Sequence, residues 1–127
     1  LLQEGRDVTI VATGHLVWES LLAAEELEKE GISCEVINIH TIKPLDEEII
    51  LKSVEKTGKI VTAEEHNYLG GLGESVAGML SRKRPTPQEF VAVNDTFGES
   101  GTPAELMHKY EIDAEAVVKA VKRVLAR

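Results

Sequence analysis

The sequence predicts an α/β fold: a three-layer α/β/α sandwich around a mostly parallel sheet of four to five strands, with room for an antiparallel edge strand. Three observations predict it. Short β-branched runs alternate with longer segments of helical periodicity, in the order β-α-β-α-β-α-β-α. Glycines, prolines or capping residues stand at most of the junctions. Helical connections of this length require right-handed crossovers between parallel strands.

The first strand is expected at Asp7–Ala12, after a turn at Gly5. Leu1 and Leu2 read as the end of an earlier strand, and the chain as a piece of a longer protein. A helix follows from about Leu16 to Glu30, with Val17, Leu21, Ala24 and Leu27 on one face. Gly31 is its C-terminal cap. The second strand is Cys34–Ile39, rich in β-branched residues. Asp46 is a good N-cap for a helix over Glu47–Lys56, which Gly58 closes. The third strand is Lys59–Ala63, and the third helix spans about Gly71–Ser81 with Leu72, Val76, Met79 and Leu80 inward.

The loop after that helix carries two prolines, and the fourth strand is expected at Phe90–Val93. Thr102, Pro103 and Glu105 form a helix-start signal for a short helix through Met107. Asp113 then caps a last helix burying Val117, Val121, Val124 and Leu125. Repeats, low-complexity segments and a second domain are absent, so residues 1–127 read as one domain.

Composition narrows function. The chain has 127 residues, 43% hydrophobic and 28% charged, which suits a globular domain and not a disordered or membrane-embedded one. The net charge of −8 argues against nucleic acid, which needs a basic face. The basic cluster Arg82–Arg84 falls where a helix ends and complements its dipole. The single cysteine, Cys34, reads as a small buried hydrophobe, and a reducing, cytoplasmic setting is the simplest fit.

The chemical motifs gather around residues 59–75. There a strand runs into Glu64, Glu65 and His66, then Gly70, Gly71 and Gly73 open a helix. The dinucleotide fingerprint and the phosphate-binding loop are not matched. The glycines serve a tight turn and close helix packing, or, as an alternative, an anion site at the helix start. If the sheet order reverses at the first strand, the ends of the first and third strands flank one crevice. Glu64, Glu65 and His66 then share a site with Thr13, Gly14 and His15. The expected contact or anion residues are Gly14, His15, Glu65, His66, Gly70, Gly71 and Gly73. Trp18 and Tyr68 sit beside the same loops and hint at a contact surface. Ser100, in G-E-S-G, does not form a nucleophile elbow.

Four segments carry a resemblance. ATG after the first strand, VINIHTIKPLD after the second, EEHNYLGGLGESVA after the third and NDTFGESGTPAELMHKYEID near the end resemble the C-terminal domain of transketolase, over nearly the whole chain. The similarity is greatest to the small C-terminal section of split transketolases. The resemblance implies a parent enzyme that transfers a two-carbon ketol unit between sugar phosphates, with thiamine diphosphate and Mg as cofactors. It implies that catalytic, cofactor and metal residues lie in preceding domains, so none is assigned here. The implied partners are those thiamine-binding domains or subunits, within a homodimer, without nucleic acid or membrane. The alternatives are deoxyxylulose-phosphate synthase or a 2-oxoacid dehydrogenase beta subunit, which the FGESGTP segment argues against, and an autonomous anion- or nucleotide-binding regulatory module.

Overall fold

The computed structural model describes residues 1–41, 43–65, 71–93 and 102–127, with the backbone alone for 93 and 105–112. The elements are β1 (Val8–Ala12), α1 (Leu16–Glu28), β2 (Cys34–Asn38), α2 (Glu47–Thr57), β3 (Ile60–Glu65), α3 (Leu72–Lys83), β4 (Gln88–Val93) and α4 (Pro103–Leu125). The four strands form one parallel sheet in the order β2-β1-β3-β4. The expected layered α/β architecture is therefore present. At the outer edge of β2, Gln3 makes an isolated antiparallel bridge to Val36. Leu2 and Gln3 both donate their N–H to the Val36 carbonyl, at 2.8 and 3.3 Å.

Side-chain alternation along the strands divides the core in two. Val8, Ile10, Ala12, Val36, Val61, Ala63 and Val91 pack with α1 and α4. Val11, Ile37 and Ile60 pack with α2 and α3 through Ile50, Val54, Leu72, Val76, Met79 and Leu80. Two helices thus cover each face. β1 is buried at every position, which explains its uninterrupted apolar run.

Helix ends follow local chemistry. After α1, Ile32 donates to the Leu27 carbonyl and Gly31 to that of Glu28, both at 3.0 Å. Gly31 has φ +83°, so this is a Schellman ending that needs glycine. Asp46 caps α2 by accepting from the Ile49 N–H at 3.4 Å. Pro103 is the first residue of α4, as its fixed φ favours.

Two expectations about helices are corrected. The C-terminal region is one helix, Pro103–Leu125, and Asp113 is buried inside it instead of capping it. The segment after Pro103 has no glycine or proline and is rich in Ala, Glu and Lys, so propensity carries the helix through. The buried arc of α1 is Leu16, Glu19, Ser20, Ala23, Ala24 and Leu27, with Val17 and Leu21 only partly covered. The arc turns because α1 packs on α4 as well as on the sheet.

Candidate functional site

The sheet order reverses between β1 and β3, so their C-terminal ends flank a crevice. The Thr13 N–H donates to the Ala63 carbonyl at 3.1 Å and ties the two ends together. Gly14 turns the chain with φ +58°. His15 then opens α1, and its Nε2 lies 3.7 Å from Glu65 Oε1, with side chains 52% and 30% exposed. The predicted meeting of these two strand ends is therefore observed.

Glu64 does not join that meeting. β3 continues through Glu65, two residues beyond its expected end, so successive side chains point to opposite faces. Glu65 faces α1, whereas Glu64 turns under α3. The Glu64 carboxylate is buried and accepts from the backbone N–H of Leu72 at 2.9 Å and of Gly73 at 2.6 Å. The chain's own carboxylate thus fills the positive end of α3, where an external anion would sit.

The glycines divide by role. Gly71 has φ −83° and ψ −172°, an extended conformation open to any residue. At Gly73 a Cβ would lie 2.5 Å from Phe90 Cδ2 and 3.0 Å from Thr62 Oγ1, so close packing favours glycine. Gln88 Nε2 donates to the Gly73 carbonyl and to Thr62 Oγ1, both at 3.1 Å, and closes this contact. His66, Gly70, Tyr68 and Ser100 lie outside the described residues.

Trp18, on the first turn of α1, is 59% exposed. It borders a cleft of about 440 Å³ lined by Gly14, His15, Val17, Trp18, Glu19 and Leu21. Among the described residues, no cluster of His, Cys, Asp and Glu could hold a metal ion. No helix among them is long and apolar enough to cross a membrane.

Sequence reasoning missed a second polar assembly beneath α2. Glu35 on β2 is buried, yet it accepts from Lys56 Nζ at 2.5 Å and from the Gly5 N–H at 3.0 Å. Burial pushes its pKa up, but hydrogen bonds from Lys56, Gly5 and Ser53 outweigh it and hold the carboxyl below its ordinary value. Beside it, Thr9 Oγ1 lies 2.6 Å from Ser53 Oγ and 2.7 Å from Thr57 Oγ1. A polar residue at alternate strand positions, opposite Ser and Thr one turn apart on a helix, was the available signal. Cys34 is buried as expected. Burial, then Asp7 and Glu28, push its thiol up to about 12, so it stays protonated and inert.

The transketolase C-terminal domain family model matches residues 1–117. The chain belongs to this family. Its sequence is 50% identical over 127 residues to the 6-deoxy-6-sulfo-D-fructose transketolase subunit of Clostridium sp. strain MSTE9, covering all of this chain and 39% of that protein. It is 42% identical to a putative transketolase C-terminal section of Methanocaldococcus jannaschii, covering 95% of this chain and 38% of that one. Among solved structures, a split-gene transketolase described as an "inactive beta4 tetramer" superposes with a TM-score of 0.85 at 48% identity, over 99% of this chain and 41% of that one. This transketolase C-terminal domain therefore spans about two fifths of these relatives' length. It covers only 19% of human transketolase, to which it is 40% identical over 121 residues.

Proposed function

We propose that residues 1–127 form one domain, the C-terminal section of a transketolase, and that it serves assembly, not chemistry. The parent enzyme transfers a two-carbon ketol unit from a ketose phosphate to an aldose phosphate. It works with thiamine diphosphate and a divalent ion such as Mg in a cytoplasmic homodimer of the pentose phosphate pathway. The observation that carries the reading is the family match over residues 1–117, together with the superposition on a split-gene transketolase.

The described residues of this domain support a seat for that cofactor pair elsewhere in the enzyme. They gather no three carboxylate, imidazole or thiol groups that could take the metal, and Glu64 already satisfies two N–H groups at the α3 start. No catalytic step is assigned to this chain. Its strand-end face, with Gly14, His15 and Glu65, is the contact surface for the thiamine-binding part of the enzyme. An anion at the same place would compete with Glu64, which favours the contact reading.

The test is reconstitution. The 127-residue chain alone should turn over no ketose phosphate and bind no thiamine diphosphate, and ketol transfer should appear once the thiamine-binding section is supplied. Turnover by the chain alone would reject the proposal.

A further inference from the structure

We infer that Trp18 is the anchor through which this domain grips the rest of its transketolase; the inference rests on the assembly reading above. Among the described residues the large apolar side chains left exposed are Leu1, Leu2, Trp18 and Phe90. They lie in three places. Leu1 and Leu2 sit at the β2 edge, where Leu2 is held by its hydrogen bond to Val36. Phe90 already has an internal role, because its ring occupies the space that a Gly73 side chain would need. Trp18 is different. It is the most exposed of the four at 59%, and the partly covered Val17 and Leu21 lie beside it on the same cleft.

Position selects the occupant. The Trp18 patch is continuous with the His15–Glu65 pair and so belongs to the strand-end face. The relatives carry some three fifths of their length outside the region matched here, which is a large body needing a seat on this domain. A tryptophan ringed by smaller apolar and polar groups is the usual make-up of an interface hot spot, with an apolar centre and a polar rim. The partner it fits presents an apolar pocket for the indole, with polar groups able to meet an imidazole and a carboxylate at its border.

The chain has one tryptophan, so 5-fluorotryptophan labelling places a single 19F reporter at Trp18. The labelled chain is titrated with the separately produced thiamine-binding section, and complex formation is followed in parallel by sedimentation velocity. The expected result is a shifted resonance in the complex. Trp18→Ala should weaken association about tenfold or more, Trp18→Phe less, and Phe90→Ala little. Far-UV circular dichroism verifies that each variant is folded. A complex that leaves the resonance unmoved and tolerates Trp18→Ala overturns the anchor and leaves the assembly reading intact. A resonance that shifts with the concentration of the labelled chain alone assigns the patch to a second copy and overturns the anchor as stated. Absence of any complex removes both readings together.

Discussion

Glu64, at the end of β3, accepts the backbone N–H of Gly73 at 2.6 Å and so ties the sheet to the first turn of α3. The bond is charge-assisted and shares its carboxylate with the Leu72 N–H. A strand residue therefore does the work usually given to an N-cap side chain. Glu64→Ala should cost about 1–2 kcal/mol, as loss of a capping group does. Glu64→Gln should cost less, because an amide oxygen still accepts one bond. Chemical denaturation of the two variants measures the difference.

Gly73→Ala should destabilise the domain by about 1 kcal/mol, because the new methyl meets Phe90 and Thr62. Phe90 is half exposed and can swing outward, which keeps the cost of one methyl low, whereas a larger side chain at 73 also presses on buried Thr62 and should be markedly worse. The double variant Gly73→Ala, Phe90→Ala should be more stable than the sum of the two singles predicts. A thermodynamic cycle on denaturation midpoints reads this coupling, and strict additivity would contradict the packing account.

Acid should unfold the domain partly through Glu35. Its folded pKa is depressed, so its contribution is present above the unfolded carboxyl value and is lost as pH falls through the folded one. Glu35→Gln should flatten the acid limb of stability against pH below about 4.5. Lys56→Met leaves a buried carboxylate with fewer donors and should cost about 1–3 kcal/mol near neutrality. Denaturation series at several pH values separate these outcomes.

Cys34 should resist thiol reagents at pH 8 in the folded domain and react at once in denaturant. The sign for stability is equally definite. The thiol ionises more easily in the unfolded chain, so stability should fall as pH rises from about 9 towards 12. Cys34→Ser should remove that alkaline slope.

Local patterns carried most of the fold. β-branched runs marked all four strands, and Gly31, Gly58, Asp46 and Pro103 marked helix ends where the structure has them. The crevice between His15 and Glu65 was legible only as a condition, because alternation of elements leaves the strand order open, and the order β2-β1-β3-β4 meets that condition. What escaped was non-local. Glu64 reaches residues 8 and 9 positions ahead, and Lys56 lies 21 positions from Glu35. Such pairs depend on which face of a strand a residue takes, and a boundary error of two residues in β3 blurred that for Glu64 and Glu65. Asp113 misled for a simpler reason. An aspartate before an apolar helical run has the composition of a cap whether or not the helix has already begun.

The hydroxyl chain of Thr9, Ser53 and Thr57 has a further consequence for α2. Oily surfaces attract without direction, so a helix held only by them could slide or roll against its strand at small cost. Oriented hydroxyl bonds permit one setting. Thr9→Val would leave a folded domain in which α2 samples several seats, visible as broadened methyl resonances of Ile50 and Val54 well below the melting temperature. Three small alcohols, beside the Lys56–Glu35 pair, thus give this helix its single address.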